Sequence, residues 1–278
     1  MKNFRFIFSL FVLFIASCSE NSGSKKVQTN SVKVLSTEEQ KLKVGEPEFP
    51  PASITSDFMS YWTYHTNYVK LYRDFLATDE NDKSIKKEDF LLKLTTGKYL
   101  PLLIHSKDST INYKLAKIPA KLLKDAGDVV ADYAKTQLLY FKMEGKPIPR
   151  FSFTDVNGVK YSSENTKGKI VLLKCWFIKC LACVKEMPAL NEMVKKYENR
   201  KDICFVSLAI DDKKPLEEFL SKTKFDYAVV SNQDNYMTKK LKVRSYPTHF
   251  LIDENGILIK TVQDATETAE ILEKLVSQ

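Results

Sequence analysis

The sequence predicts an α/β fold, a mixed sheet flanked by helices, preceded by a mainly helical region. Three observations lead to it. From Phe151 onward, short apolar runs of strand length alternate with stretches of helical period. The run Ile170 to Phe177 is almost wholly apolar and too short for a helix, which is the pattern of a central strand covered on both faces. Before Gly145, most apolar residues recur at three- and four-residue steps. With 278 residues and 44% hydrophobic composition, the chain is long enough for two domains and ordinary in its core content.

The N-terminus has its own pattern. Lys2 and Arg5 precede the apolar run Phe6 to Ala16, a positive segment and an apolar stretch of the length found in export signals and too short to span a bilayer. Ile15-Ala16-Ser17-Cys18 resembles a bacterial lipobox, which implies acylation of Cys18 as the first residue of the mature protein. Residues 1–17 are therefore read as a lipoprotein signal peptide, and the polar residues 18–50 as a tether. An ordinary secretory signal cut elsewhere is the alternative. Removing Lys2 and Arg5 takes the formal charge from +8 to +6, and the remaining lysine pairs are interspersed with acids. That is a solvated surface, and no nucleic-acid footprint is expected.

Residues 51–145 form the mainly helical region. Phe58, Tyr61, Trp62, Tyr68, Val69, Tyr72 and Phe75 recur at roughly helical spacing between Ser53 and Ala77, a stripe better explained by core packing than by a ligand face. Phe90 to Leu94 and Tyr99 to Ile104 are shorter apolar runs, and Asp125 to Met143 reads as a helix with Val130, Ala134 and Phe141 inward. No chemistry is legible in this region. Gly145-Lys-Pro-Ile-Pro breaks any helix and marks a boundary, so residues 146–278 form the second domain. Its elements follow in order: a hairpin around Asp155-Val-Asn-Gly158, the strand Ile170 to Phe177, a helix from Cys183, a strand over Ile203 to Ile210, and a helix from Pro215. A short strand over Tyr227 to Val230, a short helix over Asn235 to Lys242, a hairpin over Thr248 to Val262 and a helix over Thr266 to Val276 complete it.

The chemistry sits in Lys174-Cys-Trp-Phe-Ile-Lys-Cys180-Leu-Ala-Cys183-Val-Lys-Glu186-Met-Pro188, a C-x-x-C between a strand and a helix. Unpaired N–H groups and the helix dipole stabilise a thiolate at such a helix start and can lower a cysteine pKa from ~8.5 to as little as ~3.5. Cys180 is the expected nucleophile. Cys183, one turn further, is placed to attack a mixed disulfide at Cys180 and release the product.

This stretch resembles the thioredoxin-like family, and within it the TlpA/ResA type of membrane-anchored thiol–disulfide oxidoreductases. Trp176, the C-x-x-C, Glu186, Pro188 and Tyr246-Pro247-Thr248 fall where that family has its counterparts, over roughly Lys146 to the C-terminus. Lys179 stands where the family usually has Trp, and Leu181-Ala182 where it commonly has Gly-Pro. The resemblance implies a thioredoxin-like fold, a cis-proline loop at Pro247, and substrate contacts at Trp176, Tyr246, Pro247 and Thr248. It also implies a Glu at position 186 that tunes the cysteines. Lys174 lies inside the apolar strand, where a buried cation is costly unless paired, so a Lys174–Glu186 pair is expected, with Glu186 as acid–base partner of Cys183. Protein disulfides are the implied substrates, apocytochrome c or other exported proteins among them, with a membrane thiol-reductant donor and a lipid anchor in a bacterial cell envelope, facing the periplasm or on the outer membrane. An export signal fits this, because a C-x-x-C in an oxidising compartment stays reduced only if something re-reduces it.

The same residues admit other readings. Cys175-x4-Cys180-x2-Cys183 matches a plant-type iron–sulfur spacing, but such ligands need a loop and Ile170 to Phe177 reads as strand. One C-x-x-C is too little for structural zinc, so no metal and no cofactor is expected. A peroxiredoxin-like peroxidase resembles P-x-x-x-[TS]-x-x-C, and those two positions are Leu173 and Phe177 here. A non-enzymatic binding or scaffold lipoprotein is the remaining alternative. Cys175 and Cys204 read as inert core residues, and His65, His105 and His249 show no metal or nucleophile spacing.

Overall fold

The computed structural model describes residues 43–277. Cys18, the signal segment 1–17 and residues 18–42 of the tether lie outside the described residues. The last residues of that tether run along a sheet edge: Pro47 bridges Ile104, and the Glu48 N–H donates to the Leu103 carbonyl.

The N-terminal region holds α1 (Pro51–Ile54), α2 (Phe58–Tyr68), α3 (Lys87–Leu94) and α4 (Leu123–Met143). It also holds a sheet that the apolar spacing did not announce. Strands β1 (Leu76–Thr78), β2 (Ser84–Ile85), β3 (Tyr99–Ile104) and β4 (Asn112–Lys117) pair in the order β2-β1-β4-β3. The stripe from Ser53 to Ala77 is not one helix. Asp57 caps α2 by accepting from the Ser60 N–H, Val69 leaves the helical region at the other end, and Leu76 begins β1. The turn after α3 approaches α4 closely where Gly97 meets Gly127, since a Cβ on Gly127 would lie 2.6 Å from the Gly97 carbonyl oxygen.

The second region opens with the antiparallel pair β5 (Ser152–Thr154) and β6 (Lys160–Ser162). Its main sheet has five strands in the order β11-β10-β7-β8-β9, with β7 (Ile170–Trp176) central. Strands β8 (Ile203–Ala209) and β9 (Ala228–Val230) run parallel to β7, whereas β10 (Thr248–Ile252) pairs antiparallel with β7 and β11 (Leu258–Val262) antiparallel with β10. Around it lie α5 (Leu181–Lys185), α6 (Met187–Lys196), α7 (Lys213–Leu220) and α8 (Ala265–Val276), with one π-helical turn at Tyr236–Lys240. This is the thioredoxin-like arrangement.

Strand alternation decides what each face of β7 sees. Leu173 and Cys175 pack with Val206, Phe250 and Met237 on one side, and Leu172 packs with Leu190, Met193 and Leu272 on the other. Lys174 shares the second side with Leu172 and Trp176. The N-terminal region enters the first side through Tyr140 of α4, whose ring lies edge-on to Phe250 at 5.9 Å. Lys260 of β11 also joins the two regions, bonding Asp74 at 2.5 Å and Glu144 at 3.5 Å. Tyr72 donates to Asp264, the residue that caps α8.

Candidate active site

Cys180 and Cys183 form a disulfide where β7 turns into α5. Cys180 is the N-cap of α5, and its sulfur accepts from the Cys183 N–H at 3.2 Å. The turn before it is held from outside, because the Ile178 N–H donates to Asp211 at the end of β8, at 2.8 Å. Leu181 between the cysteines is 87% exposed. Beside it Phe177 meets Tyr246 edge-on at 5.3 Å, giving the disulfide an apolar rim.

The Tyr246–Pro247 bond is cis, and Thr248 Oγ1 donates to the Ser245 carbonyl at 2.7 Å, which ties the loop to the start of β10. Two residues expected to touch substrate do not reach the surface. Trp176 is 0% exposed, its rings enclosed by Phe219 and Phe225, and the Thr248 side chain is buried as well. The parity of β7 explains the first: position 176 points between the sheet and α7, so Trp176 supports the turn from below. Tyr246 and Pro247 remain partly exposed beside the disulfide.

Beneath the disulfide lies a charged group of three. Pro188 lacks an N–H and breaks the ladder between α5 and α6, so Glu186, which ends one helix and begins the next, sits at the break. Its Oε1 accepts from Lys174 Nζ, and Lys174 also donates to the Cys183 carbonyl at 3.0 Å. Lys174 is 0% exposed and Glu186 12%. The same Oε1 lies 3.0 Å from His249 Nε2. His249, 2% exposed, pairs with Lys174 in the β7–β10 register, so both side chains leave the sheet on the same face. Burial pushes the Lys174 ammonium below its ordinary range, and the Glu186 charge opposes that in part. Burial pushes Glu186 up, but the His249 bond, the His249 charge and Lys174 together hold its carboxyl below the usual range.

His249 fits no ligand or nucleophile spacing, so spacing alone does not mark it as a site residue. A signal was present: His249 and Lys174 are isolated polar residues in two otherwise apolar strands, and such residues need partners. Cys175 and Cys204 are free thiols, both pushed up by burial, so neither carries thiolate character. Among the described residues no cluster of three or more His, Cys, Asp or Glu is placed to hold a metal ion.

A disulfide of C-x-x-C spacing at a strand-to-helix turn, facing a cis-proline loop on this sheet, defines a thioredoxin-like dithiol–disulfide exchange protein. Residues 145–261 match the model of the AhpC/TSA family. Thiol-disulfide oxidoreductase ResA of Bacillus thuringiensis is 33% identical over 139 residues, covering 49% of this chain and 79% of the relative. Thioredoxin-like protein YneN of Bacillus subtilis is 29% identical over 133 residues, covering 47% and 77%. StoA of Bacillus subtilis, a solved structure, aligns at 22% identity with a TM-score of 0.39, over 45% of this chain and 97% of that one. The chain belongs to the ResA-type thiol–disulfide oxidoreductases of the thioredoxin-like family.

Proposed function

We propose that the protein works outside the cytoplasm, attached to a bacterial membrane by a lipid on Cys18, and reduces or isomerises protein disulfides. The observation that carries the chemistry is the Cys180–Cys183 disulfide with Cys180 as the helix cap beside the cis-proline loop. Cys180 attacks the substrate disulfide, and Cys183 resolves the mixed disulfide. Tyr246 and Pro247 offer backbone to an extended substrate segment, as an added strand does. Glu186 is the acid–base partner of Cys183, and Lys174 offsets its charge. A peroxidase reading is disfavoured by Phe177, which presents an apolar ring three residues before Cys180 where a hydroxyl is needed.

The apolar segment behind Lys2 and Arg5 supports export, and Ile15 to Cys18 supports lipidation. Among the described residues no helix is long and apolar enough to cross a membrane. A membrane thiol donor keeps the pair reduced, and exported proteins such as apocytochrome c are the substrate class. Residues 51–145 are a distinct region that rests on the redox domain through α4, with substrate selection, dimerisation and spacing as its open roles.

The test has two arms. The chain should reduce insulin disulfides with dithiothreitol as donor, and Cys183→Ser should accumulate mixed disulfides with exported proteins in cells. No insulin reduction and no trapped species would overturn the redox reading. Cys18→Ala should release the chain from membranes, and absence of lipid on the parent by mass spectrometry would overturn the anchor.

A further inference from the structure

We propose that the groove between α4 and the residues before the cis-proline bond is an outer part of the substrate site. Its occupant is an extended polypeptide segment flanking the substrate cysteine, with an acidic side chain opposite Arg244. The inference rests on the reading above that Cys180 attacks protein disulfides, and of the roles open to residues 51–145 it assigns substrate selection.

The groove has a volume of about 560 Å³. One wall is α4, with Asp132, Lys135, Thr136 and Leu139, and the other is Arg244 with Ser245. The walls are tied to each other from behind. Gln137, buried on α4, donates to the Gln263 side-chain oxygen at 3.3 Å, and Gln263 donates to Ser245 Oγ at 2.6 Å. The Tyr140 hydroxyl donates to the Lys242 carbonyl at 3.4 Å, and Thr248 Oγ1 donates to the Ser245 carbonyl at 2.7 Å. A chain of bonds therefore runs from α4 past the end of β11 to the start of β10. Walls held in this way lose little freedom when a segment enters between them.

Charge selects the occupant. Arg73, Arg150 and Arg200 each hold a carboxylate, whereas Arg244 is exposed and has no ion-pair partner among the described residues. From Asn235 to Pro247 the chain carries Lys239, Lys240, Lys242 and Arg244 and no acid. Asp132 across the groove is matched by Lys135 at 3.3 Å, and Asp234 lies exposed just before this basic stretch. The unmatched charge of the groove is thus the guanidinium, and a carboxylate is the group whose planar geometry it fits.

Continuity with the cis-proline loop makes that occupant part of the substrate. Arg244 lies two residues before Tyr246, so at most about 7 Å of chain separates them. Tyr246 in turn meets Phe177 at the rim of the disulfide. A substrate strand that pairs with the backbone at Tyr246 advances about 3.3 Å per residue, so side chains about two to four positions from its cysteine come level with Arg244 and Ser245. The cavity lined by Pro147, Phe151, Val171 and Ile252 offers no such continuation, because Val171 lies at the opposite end of β7 from the cysteines.

The test uses the full chain in detergent micelles, with Cys183→Ser so that a peptide with one central cysteine stays on Cys180 as a mixed disulfide. Photoreactive p-benzoylphenylalanine takes the place of Lys135, which is 61% exposed on the rim of the groove. Irradiation should join the peptide to α4, read by mass spectrometry as a peptide attached at position 135. A loaded chain without that link overturns the proposal, and so does a link from position 135 to a second copy of the chain. The second measurement needs no label. Peptide disulfides carrying Glu or Lys near the cysteine are compared at low salt, each rate divided by its rate with dithiothreitol alone. The parent should favour Glu over Lys about two- to tenfold in kcat/KM, as one surface charge pair gained or opposed allows, and Arg244→Glu should bring the ratio to one or below. The ratio cancels any general loss of activity in the variant. A parent ratio of one, or a ratio that Arg244→Glu leaves in place, overturns the proposal. If Cys183→Ser takes up no peptide at Cys180, the underlying exchange reading has failed, and this proposal falls with it.

Discussion

Removing either member of the Lys174–Glu186 pair should be costly, and the two removals should not cost the same. In Glu186→Gln the ammonium of Lys174 stays 0% exposed with the Cys183 carbonyl and an amide as its partners. An uncompensated buried charge of this kind costs about 3–5 kcal/mol. In Lys174→Met the stem is replaced by a similar apolar volume, and Glu186, 12% exposed, keeps His249 at 3.0 Å. That change should cost about 2 kcal/mol, toward the lower end for loss of a charged hydrogen bond. The double variant leaves no buried charge from the pair and should cost about 2–3 kcal/mol, so the single costs overshoot it by at least about 2 kcal/mol. Urea unfolding of the four oxidised proteins measures this, and the pH dependence of insulin reduction measures the functional counterpart. The acid side has a definite sign. Glu186 is depressed in the folded state, so its contribution is full above the unfolded-chain value near pH ~4.3 and is lost as pH falls through the lower folded value. The parent should therefore lose its lead over Glu186→Gln in that acid window. Additive costs in the double variant, or equal costs for the two single changes, would refute the reasoning.

Three further outcomes are expected. Limiting iodoacetamide should alkylate Cys180 before Cys183 in the reduced protein, read by peptide mass spectrometry, because Cys180 caps α5 and Cys183 is fully buried behind it; preferential labelling of Cys183 would reverse their roles. Gly127→Ala should destabilise the chain by about 1–3 kcal/mol, since its new carbon would lie 2.6 Å from the Gly97 carbonyl oxygen and must push the turn after α3 away from α4; an unchanged unfolding midpoint would contradict that close approach. A fragment starting at Lys146 should keep the exchange chemistry but be about 3–5 kcal/mol less stable than one starting at Leu123, because it lacks the Tyr140 ring against Phe250. Equal thermal midpoints for the two fragments would show that α4 adds nothing to the redox core.

Local pattern was enough to read much of this protein. The apolar run of β7, the C-x-x-C that begins four positions after Trp176, and the helical period beyond it are properties of neighbouring residues, and neighbouring residues set strand, turn and helix cap. The fold class and the exchange chemistry follow from that short stretch with Tyr246-Pro247 added. Tertiary structure decided what depends on which strand lies beside which. The pairing of Lys174 with His249 joins residues 75 positions apart through the antiparallel register of β7 and β10, and no spacing in the sequence encodes it. The burial of Trp176 and Thr248 was hidden for the same reason, since strand parity says that a side chain points to one face but not what covers that face. In the N-terminal region, strands of two to six residues are too short for alternation to stand out, and the aromatic stripe across α2 and β1 mimics one long helix. The burial of Lys174 is where the two levels meet: its position in an apolar strand demanded a partner, and only the kink at Pro188 and the register of β10 determined that Glu186 and His249 would meet at a single oxygen atom beneath the disulfide.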